Sequence, residues 1–248
     1  MERLAFDNLK FSLGSLVKRN TVVPANVNPG YLPRMFVECL ARSYKALPHL
    51  MPIMARSHAM PNMARTQNGE AFLASEAEWI LLIDSDMQWE PDAIIRLLKT
   101  AKEKKAKAVS GLTFMDQKNR VIPHAYATVP NKEGGKSLAP YAVLPTMDDA
   151  FQVDAVGGAC FLVHRDIYQD VYDMTKRSTA YYWQEDVYNH KSKAMQGEDL
   201  TFSKRIKAAG YDIWYEPRSY WPHEKTVLFD VQEYLDFIEG LNLGATDI

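Results

Sequence analysis

The spacing of apolar residues changes several times along the chain, and each change marks an element. Thr21-Val22-Val23-Pro24 predicts a short buried strand stopped by its proline. Pro29, Gly30 and Pro33 predict a loop. From Met35 to Leu47 the apolar residues Phe36, Cys39, Leu40, Tyr44 and Leu47 recur at helical spacing. Leu50 to Met54 is a second short apolar run. A loop rich in Met, Pro and Asn follows, then a helix over Ala64 to Ser75. Residues 79–83, Trp-Ile-Leu-Leu-Ile, are continuously apolar, as in a strand buried on both faces. Pro91 stands at a first helical position, and the predicted helix runs over 91–105 into a lysine-rich end. Ala106 to Ser110 predicts another strand.

Strands alternating with helices imply βαβ units, hence an α/β (Rossmann-like) domain with a mainly parallel sheet flanked by helices. The rhythm breaks near residue 115. Prolines at 123, 130, 140 and 145 and the pair Gly134-Gly135 predict a smaller region of hairpins and loops over the sheet. Regular structure resumes with a strand over 156–164 and a helix from Asp166. A polar, aromatic loop covers about 176–196, a helix 197–210 stops at Gly210, and Tyr211 to Tyr215 form the last strand. Residues 1–20 show no clean period and read as an extension. The domain then covers 21–225, with halves 21–115 and 116–225, and 226–248 form a C-terminal helix or tail.

Composition narrows the class without choosing a function. The 248 residues are 47% hydrophobic and 24% charged, values of an ordinary globular protein rather than a collagen, coiled coil or disordered chain. A net charge of −2 gives no global signal for nucleic acid or an anionic membrane, although a local basic groove stays possible. Cys39 and Cys160 lie far apart and read as structural free thiols in a reducing compartment. No apolar run approaches the roughly 20 residues of a membrane helix. Glu2, Arg3, Asp7 and Lys10 interrupt any signal-peptide core. The expectation is a soluble, unprocessed, cytoplasmic protein with no membrane insertion.

Five constellations carry chemistry. Asp84-Ser85-Asp86 end the 79–83 strand, where open α/β sheets bind ligands, and carboxylates at i and i+2 on extended backbone face one side. Such a pair suits Mg²⁺ or Mn²⁺ shared with substrate phosphates, and equally a turn that caps the next helix. Glu198 and Asp199 open a helix, as a general base or as capping acids favoured by the dipole. Glu185-Asp186 compete for that role. His223 follows the last strand and is placed to complete a metal site with Asp86, or to serve as an ordinary hydrogen-bonded surface histidine. Gly157 and Gly158 mark a close approach of ligand to backbone, or a bulge. Tyr181, Tyr182 and Trp183 form a stacking platform for a sugar or base, or pin the loop to the core.

The order WILLIDSDMQWEPDAIIRLL, VGGACFLVHRDIY, GEDLTFSKRIKAAGYDIWYEP and PHEK resembles the GT-A nucleotide-sugar glycosyltransferases, in particular compact family-2-like enzymes of bacteriophages. The likeness covers roughly residues 20–225. It implies a divalent cation, Mn²⁺ or Mg²⁺, on Asp86 and His223, with Asp84 and Ser85 at the donor. It also implies Gly157 and Gly158 beside the transferred sugar, and Asp199 as base with Glu198 next to it. Pro24 and Asn26 at the first strand, and Arg65 and Asn68 on the helix before the D-x-D strand, match positions that face the nucleotide. Tyr182 and Trp183 fall in the acceptor loop.

The resemblance thus implies transfer from a UDP- or GDP-sugar to a hydroxyl, with inversion, in the host cytoplasm if phage-encoded. The acceptor stays open between a protein, a glycan and a modified DNA base; lysines at 99–107, 191, 193, 204 and 207 with Arg205 offer a basic stripe. Arg56 and Ser57 stand where an acidic residue often reads the base, so the base is also open. Oligomeric state has no sequence signal. Other readings are a sugar nucleotidyltransferase, a D-x-D phosphatase, or a non-catalytic nucleotide- or carbohydrate-binding module.

Overall fold

The computed structural model describes residues 22–27, 32–47, 50, 54–56, 61–116, 121–131, 135–141, 143, 147–175, 187–189 and 194–224. The first half alternates as the pattern predicts: β1 (Val22–Val27), α1 (Arg34–Ala46), β2 (Met54–Arg56), α2 (Pro61–Ala74), β3 (Trp79–Asp84), α3 (Pro91–Glu103) and β4 (Ala108–Leu112). Short strands follow: β5 (Phe114–Asp116), β6 (Val121–Pro123), β7 (Ala125–Pro130), β8 (Lys136–Pro140), β9 (Phe151–Val153) and β10 (Ala155–Val156). The chain then forms β11 (Cys160–His164), α4 (Arg165–Thr175), β12 (Val187–Asn189), β13 (Ala194–Gln196), α5 (Glu198–Ala208) and β14 (Ile213–Tyr220). Among the described residues no helix is long and apolar enough to cross a membrane.

A seven-stranded sheet in the order β2-β1-β3-β11-β4-β14-β9 forms the centre. Five strands run one way and β11 and β9 run against them, so the sheet is mainly parallel but mixed. Side chains of β3 alternate between its faces. Trp79, Leu81 and Ile83 pack with Phe36 of α1 and Leu97 of α3. Ile80 and Leu82 pack with Phe72 of α2, Tyr168 of α4 and Phe202 of α5. The continuous apolar run follows from this two-sided burial.

Three boundaries differ from the sequence pattern. Pro24 does not stop β1, which continues to Val27. Pro24 is in register with Leu81 of β3, and on the β2 side it falls in the gap between the Val22↔Leu50 bridge and the ladder that starts at Ala25↔Met54. Residues 156–164 are not one strand: β10 ends at Val156, and Gly157 to Ala159 make a turn into β11. The last strand runs on to Tyr220 through an irregularity between Glu216 and Tyr220. Residues 1–20, the loop region 176–186 with Tyr182 and Trp183, and 225–248 lie outside the described residues.

Candidate active site

The turn at Gly157 to Ala159 locates the site. After β10 the chain re-enters the sheet at the end where β3 stops, so β11 pairs antiparallel with it, Cys160 beside Ile83. The Gly157–Ala159 turn therefore lies against the D-x-D, and the Asp84 N–H donates to the Ala159 carbonyl at 3.2 Å. A second segment arrives from the far side of the sheet. Beyond β14, Met87 bridges His223, the Gln88 N–H donates to Pro222 at 2.9 Å and the Glu224 N–H to Asp86 at 2.7 Å. These bonds set His223 Nε2 2.8 Å from Asp86 Oδ2. Trp221, fully buried and stacked on Trp89, anchors the segment.

Arg65 on α2 is the electrostatic hub. It is only 5% exposed, and its guanidinium bridges Asp84 Oδ1 at 2.9 Å and Glu198 Oε1 at 2.6 Å. Burial alone pulls its pKa down; the charges of Asp84, Glu198 and Asp199 outweigh that and hold it above the ordinary arginine value. Arg165 donates to the carbonyls of Phe72, Leu73, Ser75 and Ala77, so it caps the end of α2 and steadies the helix that carries Arg65. Asn68 is fully buried one turn beyond Arg65.

Glycine is required at both turn positions. A Cβ on Gly158 would lie 2.3 Å from Arg65 Nη1, and one on Gly157 would lie 2.3 Å from His124 Nδ1. The Gly158 N–H donates to Asp199 Oδ2 at 3.3 Å, and the Leu200 N–H donates to Asp199 Oδ1 at 2.7 Å. Burial raises the Asp199 pKa, against the pull of Arg65 and these two N–H groups. Tyr126 of β7 feels the Asp199 charge, and its pKa is pushed up to about 12, by burial first and that charge second.

The structure thus brings together Arg65, Asp84, Asp86, Gly157, Gly158, Glu198, Asp199 and His223, with Ser85 in the turn between the two aspartates. Arg65, expected beside a diphosphate, commits its guanidinium to two carboxylates. Pro24 is buried within β1, and Asn26 pairs in register between Ala55 and Ile83, at the end of the strand beside β3. Sequence reasoning passed over His124 and Tyr126. Their spacing of two residues across the start of β7 is a strand-face signal, hidden by the surrounding prolines.

The donor set fits a divalent cation shared with a ligand. His223 Nδ1 lies 2.8 Å from the Phe114 carbonyl, which can only accept, so Nδ1 carries the proton and Nε2 faces Asp86. A carboxylate oxygen and an imidazole nitrogen 2.8 Å apart are ligands that Mn²⁺ tolerates. Among the described residues no three His, Cys, Asp or Glu side chains form a complete metal cage, so remaining ligands would come from substrate and water.

A mixed sheet with helices on both faces, a D-x-D at the end of a parallel strand and a carboxylate-lined edge define a GT-A-type fold. The chain belongs to the family described as glycosyltransferase like family 2, whose model matches residues 54–234. Among solved structures it is similar to A197 from STIV, at 11% identity and a TM-score of 0.51, over 86% of this chain and 97% of that one. It is also similar to GalNAc-T7, crystallised with UDP, GalNAc and Mn²⁺, at 11% identity and a TM-score of 0.49. That likeness covers 84% of this chain and 43% of GalNAc-T7. No curated protein matches the chain.

Proposed function

We propose that this glycosyltransferase moves a sugar from a nucleoside diphosphate sugar to an acceptor hydroxyl, with inversion, using Asp199 as base. The observation that carries the reading is the convergence of four carboxylates, Asp84, Asp86, Glu198 and Asp199, with one guanidinium at one sheet edge. A diphosphate cannot approach such a surface without a cation between them. Asp86 and His223 would hold that cation, Mn²⁺ or Mg²⁺, which supplies charge balance for the leaving diphosphate.

The division of labour follows from the contacts. Glu198 and Asp84 are engaged by Arg65, which fixes their orientation, so their role is to build the donor side. Asp199 faces the glycine turn, and the two N–H groups on it fix the direction of its carboxylate. Burial raises its proton affinity while Arg65 keeps that rise in check, a balance suited to taking a proton as the hydroxyl attacks. The absence of side chains at Gly157 and Gly158 lets Arg65 and His124 pack directly against the turn that holds this carboxylate.

The test is nucleoside diphosphate release from UDP- and GDP-sugars, with and without Mn²⁺. Release that needs the ion and disappears in Asp86→Ala, with the thermal unfolding midpoint retained, is the expected result. Orthophosphate release would indicate a phosphatase instead. Full activity of Asp86→Ala in EDTA would refute the cation assignment.

A further inference from the structure

A second concave surface lies along α5, the helix that carries Asp199 near its start. A cavity of about 350 Å³ lies between the β7–β8 hairpin and α5, with Lys136, Lys204, Lys207, Thr128, Ser137 and Asp154 in its lining. Three lysines thus line the groove with one acidic residue, in a chain whose net charge is −2. The Asp154 carboxylate is occupied: it accepts the Thr128 N–H at 2.6 Å, and Lys207 and Lys136 are close enough to help hold its pKa down. Lys207 also pairs with Asp212 at 3.1 Å, and Lys204 reaches Gln196 Oε1. The Lys99–Lys107 run does not line the groove: it starts within α3, and its last member, Lys107, pairs with Asp166 and lies over the Tyr211 ring.

Two elements connect this groove to Asp199. Ser203, one turn after Asp199 on α5, bonds Val156 as Asp199 bonds Gly158, so that helix face follows the β10 strand and its turn. Lys207 and Lys204 lie to one side of that face, about 80° and 140° around the helix from Asp199 and about 12 and 7.5 Å further along its axis. On β7, Tyr126 and Thr128 share one side of the strand, about 7 Å apart. Tyr126 is electrostatically coupled to Asp199, and Thr128 lines the groove.

We infer that the groove of Lys136, Lys204 and Lys207 is an acceptor subsite for a phosphate group, so the accepting hydroxyl belongs to a phosphate-bearing molecule. This rests on the transferase reading above, with Asp199 as base. Ammonium groups on flexible stems with Ser137 and Thr128 hydroxyls match the oxygens of a phosphate. The groove runs along α5 away from Asp199, so the phosphate of such an acceptor would lie further along the helix than the accepting hydroxyl. A phosphomonoester on a sugar and a phosphodiester in a nucleic acid strand present the same chemistry to these side chains.

The experiment measures binding directly, so it does not depend on turnover. The probes are glucose 6-phosphate, followed by phosphorus NMR, and a fluorescein-labelled single-stranded dodecathymidylate, followed by anisotropy, with unlabelled glucose added as an uncharged competitor that should displace neither. Binding of either phosphate-bearing probe, weakened at least tenfold in Lys136→Ala/Lys204→Ala, supports the subsite; which probe binds assigns the monoester or the diester. For the strand, the slope of log K against log salt should fall by about 1.4 in that variant, two contacts at about 0.7 each. Donor hydrolysis should be unchanged in the variant, since neither lysine touches the donor side. Should the double variant unfold, Lys136→Ala alone, on the exposed hairpin, gives the same reading at smaller amplitude. Failure of both probes to bind the unaltered chain, or equal binding by chain and variant, overturns the subsite. Absence of donor hydrolysis in the unaltered chain overturns the transferase reading and leaves the binding result standing.

Discussion

Replacing Arg65 with methionine keeps an unbranched apolar stem in place while removing the one cation shared by Asp84, Glu198 and Asp199. Breaking a buried pair from one side costs about 3–5 kcal/mol, because the remaining charge loses its partner. Side chains of Asp84 and Glu198 keep 31% and 19% exposure, so water recovers part of that loss. A net cost of about 3 kcal/mol is expected, which moves a urea midpoint down by roughly 1 M at a slope near 3 kcal/mol per molar. The deficit also has a pH signature. Burial already raises the Asp199 pKa and Arg65 opposes it, so loss of Arg65 raises it further in the folded state. A carboxyl whose folded pKa exceeds its unfolded value destabilises fully above the folded pKa and not at all below the unfolded value of about 4. The gap between Arg65→Met and the unaltered chain should therefore be widest at pH 7–8 and narrow as pH falls toward 4. In Arg65→Met/Glu198→Gln, the second change should cost less than it does alone, by about 1 kcal/mol or more, as residues in contact couple. An unchanged midpoint at pH 7, a gap that widens toward low pH, or strict additivity in the double variant would refute the hub.

Gly158→Ala places a Cβ 2.3 Å from Arg65 Nη1, and the guanidinium must give up one of its two ion pairs. A loss of about 2 kcal/mol in chemical denaturation is expected, and it should nearly vanish in an Arg65→Ala background, where nothing is left to clash. Asp199→Asn should lower turnover by about 10²- to 10⁴-fold at unchanged donor affinity, read by steady-state kinetics and donor titration. Because burial raises the Asp199 pKa, the same variant should be no less stable than the unaltered chain at pH 8, an advantage lost below about pH 4.

Elements whose evidence lies within one segment were legible in the sequence. The predicted helices over 35–47, 64–75 and 91–105 and the strand over 79–83 agree with α1, α2, α3 and β3 to within a few residues. Each carries its own period, and Pro91 marks the start of α3 as expected. Gly210 ends the last helix with φ +88°, a left-handed conformation that glycine adopts without strain. Boundaries failed where sheet pairing, not local preference, decides them. Pro24 sits in a strand because its neighbour supplies only part of a ladder there. Apolar residues on both sides of Gly157-Gly158 disguise a turn as strand, because turn and strands alike are buried against the same sheet.

The candidate site shows the same division more sharply. D-x-D, Glu198-Asp199 and His223 could each be found by residue type and position, and the meeting of Asp86 with His223 was expected from their places at strand ends. The meeting of Arg65 with Glu198, across more than a hundred residues, was not, because the packing of two helices on one sheet face decides it. Adjacent residues on a helix diverge by about 100°, so Glu198 and Asp199 cannot both face the same partner. The side that takes Arg65 is fixed by α2 packing on the sheet face that also holds α5. Glu198 is thereby bound to the guanidinium, and Asp199 turns to the glycine turn and Tyr126. The two neighbouring acids, of which the resemblance singles out Asp199, thus part company: the guanidinium holds Glu198, two backbone N–H groups hold Asp199, and the helix rotation separates their surroundings.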